Sequence, residues 1–372
     1  MNTKPQVLVV GAGPTGLSAS LFLTDLGVPV RIVEQHSGLS DHSKAFGVNP
    51  RSLTLLESTG VTERLLRQGR PAHGMDLWRH GRVIFEGDLT KIDHKYPFML
   101  VHPQADSERA LADALAERGV DVEFNTKLET VEVAGDDQVE CSLTLPSGET
   151  ESYVANIVLG SDGPHSTVRE QLGIDFPGDH FDEPWMVVDI ELETDLAIDR
   201  VHLEWNDAGA VFMICIADNL WRIAGNVLPI TDHLLGNSTA GATVWESEFH
   251  MRHCVTSEFA KGPVALAGDA AHIHSPLGGR GMNLGIEDAY VFANLVAQGR
   301  LRDYHRLRSP AVHSVVRRVE QMTQIARGKS QLSHLARQFA PLTTAAMKLG
   351  EGNLRNWVLG LDHPVNIGSP TK

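Results

Sequence analysis

Val7-Leu8-Val9-Val10-Gly11-Ala12-Gly13-Pro14-Thr15-Gly16 carries an apolar run straight into three closely spaced glycines. Four apolar residues in a row, three of them β-branched, read as a strand buried on both faces. Leu17 to Leu26 is apolar-rich and closes at Gly27, which reads as a helix. Val30-Arg31-Ile32-Val33 is a second strand, with Glu34 at its end. The pattern is a strand–helix–strand unit with a GxGxxG turn and an acid about twenty residues later. Gly11 permits the tight turn. Gly13 lets the backbone approach a pyrophosphate, and Gly16 lets helix and strand pack closely. Thr15 belongs to the same turn. The helix N-terminus offers free N–H groups and a partial positive charge to phosphates. Glu34 is placed to accept hydrogen bonds from both ribose hydroxyls. An acid there repels a 2′-phosphate, so this site is expected to reject NADP.

The chain has 372 residues, enough for two domains and a sizeable core. A net charge of −15 argues against a nucleic-acid partner, which needs a basic face. No stretch approaches eighteen uninterrupted apolar residues, so no membrane partner is expected. Met1-Asn2-Thr3-Lys4-Pro5 leads directly into the first strand and leaves no room for a signal peptide. Cys141, Cys215 and Cys254 form neither CxxC spacing nor a disulfide framework, so a cytoplasmic location is expected. The histidines lack metal spacing, and no metal is expected.

Two further segments follow. Ile157-Val158-Leu159-Gly160 is a strand running into Ser161-Asp162-Gly163-Pro164-His165-Ser166-Thr167-Val168-Arg169, where Ser166 caps a helix and Asp162 is expected to pair with Arg169. Val264-Ala265-Leu266-Ala267 is a strand ending on Gly268-Asp269-Ala270-Ala271-His272, and then comes Pro276-Leu277-Gly278-Gly279-Arg280-Gly281-Met282-Asn283, opening a long helix. Between these landmarks, residues 49–69 read as a helix pair or one bent helix starting at Pro50. Residues 76–90 read as a hairpin turning at His80-Gly81. Ser107 to Arg118 reads as a helix capped by Ser107 and ended by Gly119. Residues 120–158 and 184–226 alternate with the two-residue period of strands. From Gly285 on the chain is mostly helical. The basic run Arg300 to Arg308, continuing to Arg317-Arg318, reads most simply as a solvated helix face.

Together the three glycine-and-acid segments resemble the FAD-dependent aromatic hydroxylases, the single-component flavoprotein monooxygenases of the para-hydroxybenzoate hydroxylase type. The likeness is to the phenol and polyketide hydroxylase branch, without its thioredoxin-like C-terminal domain. The resemblance implies an α/β fold: a Rossmann-like FAD-binding domain, an inserted antiparallel β-sheet substrate domain and a helical C-terminal region. The implied division is 1–75, 101–176 and 261–300 for FAD, 76–100 and 177–260 for the substrate layer, and 301–372 for the helical region. It implies that FAD is held by Gly11, Gly13, Thr15, Gly16, Glu34, Lys44, Gln104, Asp162, Asp269, Pro276, Gly278, Gly279, Gly281, Met282 and Asn283. Asp269 would bond the ribitol chain, and the helix after Gly281 would face the flavin's pyrimidine edge. Lys44 stands where the family usually has arginine, a point charge in place of a bidentate fork. Arg280 stands where relatives often carry glutamine; its side chain either sits outside or tunes the reduced flavin.

The implied reaction uses NADPH or NADH as transient co-substrate, O2, and a flavin hydroperoxide that an electron-rich phenolic or polyketide-like small molecule attacks. The FAD carries the chemistry, so no motif names a catalytic residue. His202, Trp205, Met213, Trp221 and Arg222 lie on the substrate sheet as candidates for contact with the ring. Alternatives are a flavin-dependent reductase or oxidase of an isoprenoid-like molecule, and a FAD-binding protein without monooxygenase activity. A halogenase is disfavoured, because no WxWxIP motif is present. The protein is expected to be a monomer or homodimer.

Overall fold

The computed structural model describes residues 6–40, 46–205, 209–276, 278–327 and 351–368. Val7–Val10 is the centre of a six-stranded sheet, paired in parallel with Val30–Val33 on one side and Ile157–Gly160 on the other. Val264–Leu266 continues the parallel set beyond Ile157–Gly160, and Val122–Glu123 beyond Val30–Val33. A short antiparallel strand, Ala260–Lys261, closes one edge. In-register pairing brings the carboxyl ends of these strands to one line. Gly11, Glu34, Ser161 and Ala267 therefore share one sheet edge, where open α/β sheets bind their ligands. Helix Pro14–Asp25 and helix Gly281–Ala297 pack together on this sheet.

A second sheet has eight strands, in the order His272–Ile273, Thr239–Val255, Gly178–Glu193, Leu220–Gly225, Ala210–Ala217, Arg200–Trp205, Gly74–Arg79 and Arg82–Asp88. The hairpin expected near residue 80 thus joins the sheet formed by residues 178–255, through a parallel pairing of Gly74–Arg79 with Arg200–Trp205. The 17-residue strand Thr239–Val255 escaped the sequence reading, although Trp245, Phe249 and Met251 alternate there with Glu246, Glu248 and His250. Three shorter strands, Lys127–Gly135, Gln138–Thr144 and Thr150–Ala155, form a separate antiparallel sheet within the stretch 120–158 that alternates in sequence. The expected helix pair is present as Pro50–Leu56 and Val61–Gln68.

Two local expectations need correction. The helix placed at Ser107 begins three residues earlier, spanning Gln104–Ala116. Ser107 is not its cap: its hydroxyl donates back to the Pro103 carbonyl and meets His102 Nδ1 at 2.8 Å. The basic run is not a uniformly solvated face, for Arg308 is 1% exposed and paired with Asp288 and Glu287. The three cysteines are free and buried. No helix among the described residues is long and apolar enough to cross a membrane.

Candidate active site

The glycine turn shows three different spatial reasons for glycine. Gly11 has φ +99°, and a Cβ there would lie 2.4 Å from the Ser161 carbonyl oxygen. A Cβ on Gly16 would lie 1.9 Å from the Gly11 oxygen. A Cβ on Gly13 would meet nothing within 4 Å, so its side-chain space opens outward from the helix N-terminus. That open cradle, beside free first-turn N–H groups, fits a pyrophosphate. Thr15 points the other way. Its hydroxyl occupies the space that a Cβ on Gly268 or on Gly285 would need, at 2.4 and 2.2 Å. Thr15 therefore plugs the first helix into the third segment. Glu34 is already at work: its carboxylate accepts from Ala12 N–H (2.8 Å) and His36 N–H (3.0 Å). It shapes the turn while lying at the strand end that a ribose would approach.

Gln104 opens the helix Gln104–Ala116 and donates to Glu108 Oε1 at 2.8 Å. Glu108, unremarked in the sequence, is 3% exposed, and burial raises its pKa. Lys44 lies outside the described residues.

In the second segment, Ser166 caps as expected, accepting from Arg169 N–H at 3.0 Å. The Asp162–Arg169 pair does not form. Arg169 donates instead to the carbonyls of Ala270 and Pro164, both at 3.0 Å, and stacks on Phe176. It clamps the second segment to the third through neutral acceptors. Asp162 accepts from Val168 N–H, while its other oxygen is buried without a partner. Burial raises its pKa. An orphaned buried carboxylate oxygen at the sheet edge fits a group that a ligand would satisfy.

Asp269 is exposed in a short helical turn at the end of its strand. The loop from exposed Pro276 runs through Gly278 (φ +83°) and Gly279 (φ +61°). Gly281, Met282 and Asn283 form the first turn of the long helix rather than the loop. The side chain of Asn283 is committed to the protein: it accepts from Asn49 N–H and donates to the Gly47 and Gly279 carbonyls. Only backbone groups remain at Asn283 to face a flavin.

Arg280 sits inside. It donates to the Trp357 carbonyl at 2.6 Å and to Asp362 at 3.0 Å. Asp362 also binds Arg318 and His363, and His363 reaches Glu287 at 2.8 Å. Glu287 meets Arg51 and Arg308, and Asp288 joins Arg308 to His272. The charges are buried but paired, as burial demands. They bind residues 351–368 to the loop Pro276–Arg280, with the Trp357 ring 2.9 Å from where a Cβ on Gly278 would be. His274 lies beneath the same loop, and burial pushes its pKa down to about 3.

The eight-stranded sheet shows two faces. Met213, Trp221 and His202 point away from the loop, into a cluster with Ile190, Ile223 and Leu235 or toward Trp78 and Ala197. These three candidates are core residues. Phe212 and Ile214 point the other way, into an apolar cluster with Phe46, Met99, Val101 and Leu359. Trp205 packs against Phe212 and Leu203 on that face. Arg222 faces Asp189 across the strands, its guanidinium bonded to both carboxylate oxygens at 2.7 and 2.6 Å.

The FAD binding domain family matches residues 4–223 and 226–319, and the chain belongs to it. FAD is therefore the cofactor of this fold. 6-Methylpretetramide 4-monooxygenase of Streptomyces rimosus is 32% identical over 308 residues, 78% of this chain and 55% of that protein. Pentachlorophenol 4-monooxygenase of Sphingobium chlorophenolicum is 27% identical over 354 residues, 87% of this chain and 65% of that protein. The chain thus spans between about half and two thirds of the length of these relatives. Among solved structures, p-nitrophenol 4-monooxygenase from Pseudomonas putida shares the fold at a TM-score of 0.85 and 22% identity, covering 97% of this chain and 99% of that one. Anhydrotetracycline hydroxylase from Streptomyces rimosus does so at 0.79 and 23%, covering 96% and 76%.

Proposed function

We propose that the chain is an FAD-dependent monooxygenase that hydroxylates a phenolic or polyketide-like aromatic molecule. The overall balance is ArH + O2 + NAD(P)H + H⁺ giving ArOH + H2O + NAD(P)⁺. One observation supports the reading: the apolar cluster that holds Phe46 on one face of the second sheet is joined to the start of helix Gly281–Ala297 by the Asn283 hydrogen bond to the Gly47 carbonyl. When bound, FAD supplies the redox chemistry of hydride acceptance and oxygen transfer. The chain's own part is to hold, orient and dry the site.

Gly13 and the first helix would cradle the pyrophosphate, Glu34 the ribose, and Asp269 the ribitol. First-turn N–H groups from Gly281 on would stabilise negative charge on a reduced ring. Phe46, Phe212, Ile214 and Leu359 would give an aromatic ring an apolar, water-poor neighbour. In this reading, residues 1–75, 101–176 and 261–300 serve FAD, and 76–100 with 177–260 serve the substrate.

The test is direct. The FAD-loaded protein is supplied with NADH or NADPH and a panel of phenols, and products are weighed for the gain of one oxygen. A product heavier by one oxygen is expected. FAD binding with nicotinamide oxidation but no oxygenated product from any aromatic would sink the reading.

A further inference from the structure

We propose that the cavity at Glu204 and Trp78, on the outer face of the eight-stranded sheet, binds an aliphatic organic cation of the polyamine class. The proposal stands apart from the oxygenation reading, because this face is turned away from the loop Pro276–Arg280. Glu204 follows His202 by two positions on one strand and so shares its face. Trp78 pairs with Glu204 in register on the neighbouring strand. The cavity holds about 370 Å³, within the range of roughly 300–1,000 Å³ typical of small-ligand sites. The hairpin turn at Gly81 bounds it on one side, and the helical turn Ile230–His233 with the chain through Asn237 bounds it on another.

Glu204 differs from the other buried carboxylates. Among the described residues these are Asp76, Glu108, Asp189, Glu204, Glu287 and Asp288. Asp76 is paired with Arg200, Asp189 with Arg222, Glu287 with Arg51 and Arg308, and Asp288 with Arg308. Glu108 accepts from the Gln104 amide at 2.8 Å. Glu204 is 8% exposed and has no cation. Its Oε1 receives the Gly81 N–H at 3.4 Å, and its Oε2 has no partner among the described residues. A carboxylate is rarely buried without a cation or strong donors. Here the space that a cation would fill is the cavity that Glu204 lines.

The remaining lining defines that cation. Asp195 accepts from the Asn237 backbone N–H at 2.9 Å and from its Nδ2 at 2.6 Å, neutral donors that leave its charge uncancelled. Asp232 adds a third carboxylate from the helical turn. The lining holds no lysine or arginine, and His233 is its one basic side chain. Three carboxylates favour a ligand with more than one positive charge. They do not converge on a point: no group of acids and histidines among the described residues is placed to hold a metal ion. Trp78 and Leu234 supply an indole and an aliphatic wall, which suit an alkyl chain and its ammonium group better than a hydrated divalent ion.

The experiment titrates 1,5-diaminopentane, the uncharged 1,5-pentanediol, Ca²⁺ and Mg²⁺ calorimetrically into FAD-loaded protein at low salt. The chain is used as wild type, Glu204→Gln and Asp232→Asn. Wild type is expected to bind the diamine and not the diol. Glu204→Gln keeps the shape of the side chain and removes its charge, and should weaken diamine binding by roughly 10-fold to 100-fold, the worth of a hydrogen bond to a charged group. Asp232→Asn alters an exposed charge and should weaken it by only about 2-fold to 5-fold, an effect that added salt removes. Both variants should retain FAD as wild type does. Wild type that does not bind the diamine overturns the proposal, and so does equal binding by wild type and Glu204→Gln. Asp232→Asn folds independently of the buried position, and diamine binding by it equal to wild type at low salt is a third contrary result. Tighter binding of Ca²⁺ or Mg²⁺, with displacement of the diamine, overturns the proposal in favour of a metal site.

Discussion

Gly13 and Gly16 lie three residues apart and are glycine for opposite reasons. The space beside Gly13 is open, while that beside Gly16 is filled by the Gly11 carbonyl. Gly13→Val should leave the melting of the FAD-free protein nearly unchanged and abolish FAD binding in a fluorescence titration. Gly16→Ala should destabilise the FAD-free protein itself by about 1–3 kcal/mol, the cost of overpacking, read from urea melts. If Gly13→Val retains full FAD occupancy, the pyrophosphate does not lie at this turn. Asp269→Ala should weaken FAD binding by about 1.5–3 kcal/mol, the scale of a hydrogen bond to a charged group. An unchanged dissociation constant would show that Asp269 serves only the local turn.

At the scale of elements, the decisive piece is the segment from the helix Glu351–Val358 through Gly368. Its charges are matched to the loop at Arg280 and to helix Gly281–Ala297, and their titration gives the match a pH range. Burial opposes charge on Asp362, but His363 and Arg280 outweigh it and hold its pKa near 2. Its contribution is present above the ordinary aspartate range and is lost as pH falls through about 2. Burial likewise opposes charge on His363, and Asp362 with Glu287 outweighs it, raising its pKa above 6.5. Its contribution is full below the ordinary histidine value and is lost as pH rises through the raised one. The stability advantage of wild type over His363→Gln should therefore shrink as urea melts move from mildly acidic to alkaline pH. An advantage independent of pH would mean that His363 is held neutral. Asp362→Asn leaves Arg280 without its carboxylate and should cost about 3 kcal/mol by the same melts.

On the scale of the whole molecule, residues 357–361 are a wall shared by the apolar cluster on the second sheet and the loop at Gly278. Leu359 packs in that cluster with Phe46, while the Trp357 ring lies against Gly278. A ligand that binds against the cluster repacks this wall, and so alters the loop, if it binds the two packings unequally. NAD(P)H oxidation is thus expected to be slow without substrate and much faster with an aromatic that becomes hydroxylated. Stopped-flow reduction with and without that aromatic measures the difference. Equal rates would show that wall and loop move independently.

The sequence by itself determined the glycine-bearing edge of the parallel sheet. Gly11, Gly13 and Gly16 report steric demands that act at single positions, and the strand before them and the acid after them repeat at fixed short spacing. The helix pair at Pro50 and the hairpin at His80-Gly81 were legible for the same reason, since turn chemistry is local. Tertiary structure alone decided the roles of the charged residues. Arg280 finds Asp362 82 positions away, and Arg169 finds the Ala270 carbonyl 101 positions away in place of nearby Asp162. Arg308 read as surface because a basic helix run looks solvated, until Asp288 and Glu287 of another helix neutralise it. Which face of the eight-stranded sheet meets the Phe46 cluster was equally closed to the sequence. Strand alternation separates Met213 from Phe212 and Ile214, but only the packed layers say which set looks inward. Thr15 makes the same point in small: its place is set by two glycines, Gly268 and Gly285, that come close only once the sheet has formed.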